Sequence, residues 1–319
     1  MTTDEYCGIL MIGDPHLEGR TPGFRKDDYP NVILAKLAWC LEYAERERLL
    51  PAILGDLFDK PRDNPNWMLV RLLGMLRTPV LALYGNHDVH QTAELTPDDS
   101  LSLLVSAGRL QLVDPEHPWQ GRMGGRTVVL GGSNYRQPIP KAYELANDGQ
   151  ETGGRPLVVW MAHHDVLMPG YDEGRIKPYE VAGVDLIVNG HIHRRLSDVQ
   201  AGNTLWITPG NIARRKRSDA SREHVPSALR IDVCSERHEI RYIEVPHLPF
   251  EEVFHPALTL PQVDTTRSAF VAGLAEMQQR RTESGAGLVE FLDQNLEQFE
   301  TAVASEIRKL AQEVIENAA

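Results

Sequence analysis

The stretch Gly8-Ile9-Leu10-Met11-Ile12-Gly13-Asp14-Pro15-His16 decides the fold. An apolar run of strand length stops at a glycine and is followed at once by an aspartate and a histidine, so a buried strand delivers two metal-type donors at its carboxyl end. The same arrangement returns four times. Ala52-Ile53-Leu54 ends at Gly55-Asp56, and Val80 to Tyr84 ends at Gly85-Asn86-His87. Leu157 to Met161 ends at His163-His164, and Leu186 to Val188 ends at Asn189-Gly190-His191-Ile192-His193. Between the first two strands, Val32 to Leu50 carries an apolar stripe (Ile33, Leu34, Leu37, Leu41, Ala44) that predicts an amphipathic helix, and Trp67 to Leu76 predicts another. Strands alternating with helices predict an α/β layered fold in which ligands gather at the carboxyl edge of a sheet. Later strands are expected at Thr127–Leu130, Thr204–Thr208, Leu229–Val233 and Glu239–Val245, which predicts two sheets between flanking helices.

The donor types point to a reaction. Two divalent ions about 3.5–4 Å apart can clamp the attacking and leaving oxygens of a displacement at phosphorus, with a bridging hydroxide as nucleophile. Such a pair wants carboxylate, amide and imidazole donors, one carboxylate being shared, rather than thiolates. The strand ends offer Asp, Asn and His and no Cys. One such motif alone reads equally well as a turn, because Asp and Asn favour tight turns. Five in order, each after an apolar strand, read as parts of a single site.

Composition bounds the rest. The 319 residues suffice for one large domain and a smaller appendage. Cys7, Cys40 and Cys234 are odd in number and widely spaced, which argues against a disulfide framework or a zinc knuckle. No basic leader precedes the first strand, and no apolar run approaches the ~20 residues of a membrane span, so a cytoplasmic protein without a membrane contact is expected. The net charge of −12 opposes a nucleic-acid partner on average. The run Arg214-Arg215-Lys216-Arg217 follows closely on the last donor motif, however, so Arg214, Arg215 and Arg217 are candidate phosphate contacts, the alternative being a solvated loop. After Pro246 the character changes. Prolines 246, 249, 256 and 261 lead into a tail in which Leu288, Leu292, Leu296, Phe299, Val303, Ile307, Leu310 and Val314 recur at helical intervals. That stripe is either packed on its own domain or offered to a partner. The expected division is 1–245 for the catalytic domain and 246–319 for a reduced capping region and helical tail.

In order and content GDPHL, GDLFD, GNHD, the HH pair and GHIH resemble the signature of the calcineurin-like metallophosphoesterase superfamily, over about Ile9 to Val245. The resemblance implies a four-layer α/β/β/α sandwich, here with a short C-terminal helical extension. It implies that one metal takes Asp14, His16, Asp56 and His193, and that the other takes Asp56, Asn86, His163 and His191, with Asp56 as the bridge. His164 is the alternative to His163. His87 is by the same resemblance no ligand but reaches the scissile phosphate, where an imidazole stabilises charge or protonates the leaving oxygen, and Asp88 orients it. Within the superfamily GDLFDKP, the Arg25, Asp27, Asp28 stretch and the TPGN after GHIH look like the SbcD-type DNA repair exonucleases. That branch implies a Mn2+-dependent phosphodiester hydrolase acting on DNA as an exo- or endonuclease, with an SMC-like ATPase partner reached through the C-terminal helix. A homodimer is a further expected assembly. The rival reading is a small-molecule phosphodiesterase or phosphatase acting on cyclic nucleotides or nucleotides; a non-enzymatic scaffold is disfavoured because every ligand position is filled.

Overall fold

A computed structural model describes residues 6–77, 80–90, 94–144 and 155–256. Two six-stranded mixed sheets form the centre. In the first, β1 (Gly8–Ile12), β2 (Leu49–Ile53), β3 (Val80–Ala82) and β4 (Leu110–Leu112) run parallel, and the hairpin of β11 (Ser227–Val233) and β12 (His238–Glu244) joins antiparallel beside β1. In the second, β6 (Arg126–Ser133), β7 (Leu157–Ala162), β8 (Leu186–Asn189) and β10 (Thr204–Ile207) run parallel, with β5 (Trp119–Met123) and β9 (Val199–Ala201) antiparallel at the edges.

Strand alternation explains why the runs are apolar throughout. Successive side chains point to opposite faces, and both faces are covered. Ile9 and Met11 of β1 meet Leu157, Val159 and Met161 of β7 in the core between the sheets. Leu10 and Ile12 turn outward onto Ile33, Leu34 and Leu37 of α1 (Tyr29–Arg46), within a core that also takes in Met68 and Leu72 of α2 (Asn66–Met75) and Leu101 and Leu104 of α3 (Ser100–Ser106). On the outer face of the second sheet, Val158 and Trp160 pack with Ile139, Val166, Val181 and Ile192 from the connecting segments. The chain therefore has the expected α/β sandwich architecture of two mixed sheets with helices.

The helix predicted over Val32 to Leu50 starts and stops earlier. It ends at Arg46 because the Glu47 amide bonds back to the Tyr43 carbonyl and Arg48 takes a left-handed φ of 55°, which turns Leu49 and Leu50 into β2. Two short helices, α4 (Asp219–Glu223) and α5 (Phe250–Val253), complete the described part. The residues from Pro246 to His255 belong with the first unit, Met1–His255. Phe250 and Phe254 pack with Phe24, and the His255 amide bonds the Phe24 carbonyl. The tail stripe from Leu288 to Val314 lies outside the described residues. Among the described residues, no helix is long and apolar enough to cross a membrane.

Candidate metal centre

The carboxyl ends of β1, β2, β7 and β8, with the loop after β3, converge on one edge of the two sheets. The structure brings their donors into two groups that share a carboxylate, Asp14, His16, Asp56 and His193 in one and Asp56, His163 and His191 in the other, and a third group of His16, Asp59 and His87 adjoins the first. Asn86 joins the second group, its Oδ1 lying 2.9 Å from His191 Nδ1 and 3.3 Å from His163 Nε2. Asp56 Oδ2 stands between the two groups, 3.5 Å from His16 Nε2 and 3.3 Å from His163 Nε2. Asp14, His16, Asp56 and His163 are at most 1% exposed.

The backbone is bent to achieve this. Asp14, His16, Asp56 and His191 all adopt a positive φ, of 34°, 47°, 47° and 69°. Such conformations cost about 1–3 kcal/mol each in non-glycine residues, and they persist where the surroundings overdetermine them. Gly85 has no room for a side chain, since a Cβ there would stand 2.6 Å from His163 Nε2 and 2.7 Å from Asp56 Cγ.

These residues fit a pair of cations. Burial pushes the His193 ring down to about 3 and the His16 ring well below its usual value. Two neutral imidazoles therefore face each other with Nε2 atoms 2.9 Å apart. That spacing suits neighbouring ligands on one ion with metal–nitrogen bonds of about 2.1 Å. Asp14 Oδ2 is buried without a hydrogen-bond partner, a costly state for a carboxylate oxygen unless a cation meets it. Burial raises the Asp14 carboxyl to about 6. At His163 burial works against the charged ring, yet the Asp56 and Asp14 carboxylates raise it to about 10. For Asp56 burial is likewise outweighed, by the His163 charge, and the carboxyl stays below the usual range. The Asp14 and Asp56 carboxylates thus favour positive charge between them, which a divalent ion would supply.

The histidine pair divides by strand parity. His163 continues the inward row of Leu157, Val159 and Met161, and its Nδ1 bonds the Leu54 carbonyl at 2.7 Å. His164 falls on the other parity, and its Nε2 bonds the Gln137 carbonyl at 2.6 Å.

The two residues expected to act together on substrate are placed differently. The His87 ring is one-quarter exposed, edge-on to His16 with centroids 4.7 Å apart, and its amide donates to Asp56 Oδ1. The group at its Nδ1 is the Asp59 carbonyl, at 2.8 Å. Asp88 does not orient the ring. Its carboxylate is fully buried and accepts the amides of Leu57, Phe58 and Gly85, tying the GDLFD loop to the GNHD loop, and burial and then Asp56 raise it to about 7.

Of the three candidate arginines, Arg215 reaches the centre, and Lys216 acts on His193 by its charge. Arg215 pairs with Asp59, whose carboxylate lies 3.5 Å from His16 Nδ1 and 3.9 Å from His87 Nδ1. Arg214 instead donates to the carbonyls of His224 and Leu248, and Arg217 to that of His255. Sequence reading missed two carboxylates. Asp59 is the last letter of GDLFD, and Asp165, directly after the histidine pair, accepts His191 Nε2 at 2.8 Å while Nδ1 faces the centre. A carboxylate behind a ligating imidazole fixes its tautomer and raises its basicity. Each lies within or directly beside a donor motif, and that adjacency is the signal that could have found them.

Comparison with known proteins agrees. The profile of the calcineurin-like phosphoesterase family matches residues 8–195, more than half of the chain. No curated protein matches the chain in sequence. Similar solved structures include the sulfate thiohydrolase SoxB of Thermus thermophilus (11% identity, TM-score 0.37, 76% of this chain and 56% of that one). A purple acid phosphatase from yellow lupin, Lupinus luteus, is also similar (13%, 0.41, 76% and 52%), as is Vps29 of Chaetomium thermophilum (12%, 0.31, 75% and 99%). The chain spans about half the length of the first two. With its family profile covering the strands and the donor groups described above, the chain belongs to the calcineurin-like phosphoesterase family and carries the fold and donor cluster of a metal-dependent phosphoester hydrolase.

Proposed function

We propose that the chain cleaves phosphodiester bonds of DNA with two divalent ions, Mn2+ foremost, as an SbcD-type nuclease. The observation that carries the hydrolytic part is the pair of donor groups joined at Asp56. When bound, such ions supply Lewis-acid activation of water and neutralisation of the phosphoryl oxygens. Asp14, His16, Asp56 and His193 would hold one ion, and Asp56, Asn86, His163 and His191 the other. The chain itself provides the proton traffic. With Nδ1–H directed at the Asp59 carbonyl, the His87 ring in its imidazolium form would pass its Nε2 proton to the departing oxygen and be left neutral. Arg215, 18% exposed and anchored by Asp59, brings a guanidinium that suits a flanking phosphate.

The substrate assignment leans on GDLFDKP, on TPGN and on that one arginine. The SMC-like ATPase partner, contacted through the C-terminal helix, a homodimer and a cytoplasmic setting belong to the same reading. The net charge of −12 favours the second reading, a small-molecule phosphodiesterase or phosphatase acting on cyclic nucleotides or nucleotides. Linear duplex DNA, single-stranded DNA and cyclic nucleotides offered in parallel with Mn2+ separate the two. Turnover of cyclic nucleotides alone would sink the nuclease proposal. In the same assay Asp56→Ala should lose both metal and activity, whereas His87→Ala should keep its metal and lose about 10²–10⁴ in rate; full activity in the His87 variant removes it from the reaction.

A further inference from the structure

A cavity of about 520 Å³ opens between α1 and the segment that follows β12. Its walls include Val32, Ala35 and Trp39 of α1, with Pro226, Leu248 and Val253 opposite. No member of the metal-donor groups lines it, although Tyr29 of its wall donates to the His16 carbonyl at 3.0 Å. Volume and apolar lining are those of a small-molecule site.

Cations outnumber carboxylates in the wall of this cavity, and Glu251 and Glu244 act on Arg214 from beyond it. Asp27, the one carboxylate in its wall, is engaged by Arg25 through Nε at 2.8 Å and Nη2 at 2.7 Å. Arg214 donates to the carbonyls of His224 and Leu248. Lys36 is 8% exposed, and its ammonium, which has three N–H donors, makes one bond among the described residues, to the Ile212 carbonyl at 3.1 Å. Neither Lys36 nor Arg214 forms an ion pair among the described residues. A largely buried ammonium without a counter-charge is costly, and an anion entering the cavity beside Lys36 relieves the cost. Burial accordingly lowers Lys36 to about 8.

We propose that the cavity binds an amphiphile with a carboxylate head, the head meeting Lys36 and Arg214 and the apolar body lying along Val32, Trp39 and Leu248. A bare inorganic anion would leave the apolar wall uncovered, and an uncharged hydrocarbon would leave the two cations unpaired.

The test is isothermal titration of the full chain, metal-loaded, with decanoate and with decyltrimethylammonium below their aggregation concentrations. The two probes share a chain length and differ in head charge. Decanoate should bind at one site and the cation should not. Lys36→Met, which keeps the apolar stem, should weaken decanoate by about ten-fold or more, and Lys36→Arg should stay within about three-fold. Ala35 is exposed on α1, so Ala35→Trp should fold and block the cavity without touching a charge. Equal binding of the two probes, or decanoate affinity unchanged in Lys36→Met or in Ala35→Trp, overturns the proposal.

Discussion

Asp165→Ala should weaken one of two metal-binding steps and leave the other alone. In the structure Asp165 Oδ1 accepts from His191 Nε2 at 2.8 Å, while His191 Nδ1 faces Asn86 Oδ1 at 2.9 Å within the second donor group. The bond from His191 also holds the Asp165 carboxyl below its usual range. Removing a carboxylate behind a ligating imidazole costs about 10–100-fold in metal affinity. The Asp165 side chain is 38% exposed, so water can take over part of its work, and the low end applies: about ten-fold, or about 1.4 kcal/mol. Asp165→Asn keeps an acceptor without the charge and should fall between the two. The group of Asp14, His16 and His193 makes no contact with Asp165, so its step should move by less than about two-fold. Calorimetric titration of the metal-free protein with Mn2+, competed by a chelator of known affinity, resolves the steps. Unchanged affinity in Asp165→Ala would remove that carboxylate from the site. Equal weakening of both steps would refute the division of donors between two ions.

Three further outcomes are expected from the packing. Gly85→Ala would force the new methyl against the Asp56 and His163 side chains, so metal affinity should fall by about 100-fold or more while stability drops by about 1–3 kcal/mol; chemical denaturation beside the metal titration checks both. His163→Ala should abolish the second metal-binding step, whereas His164→Ala, whose ring bonds the Gln137 carbonyl, should leave both steps in place, and the reverse result would overturn the parity assignment. His224 is pushed down to about 4 by burial, with Nε2 bonded to the Asn211 carbonyl at 2.8 Å. The unfolded chain, whose histidine titrates near 6.5, then binds the proton first. Stability is intact above pH 6.5 and falls as pH drops towards 4, by up to about 1.4 kcal/mol per pH unit from this group. His224→Gln should flatten that part of the curve in urea melts taken from pH 7 to pH 4; an unaltered slope would show that the ring is protonated in the native state.

The strands, the donor types and the family were legible because they are written locally. An apolar run of five ending in Gly-Asp specifies a strand and its terminus wherever the run is buried, and carboxylate, amide and imidazole donors at such termini restrict the chemistry to hard cations. The direction of individual side chains was not legible. His163 and His164 are adjacent, and both parities of β7 are apolar because both faces of the sheet are covered, so only the packed sandwich reveals which one looks inward. Arg214, Arg215 and Arg217 are likewise equivalent as letters, but the turn after β10 sends Arg215 to Asp59 and its neighbours to backbone carbonyls more than 100 residues from GNHD in sequence. Helix boundaries slipped where one left-handed residue, Arg48, converted an apolar continuation into a strand. The sequence by itself determined which atoms were available and at which strand ends they stand, since alternation and donor chemistry act between near neighbours. Only the tertiary structure decided that Asp56 stands between two donor groups, that Asp59 and Asp165 support the imidazoles, and that Asp88 clamps two loops, because those relations join residues that share no local periodicity and meet only when the two sheets pack.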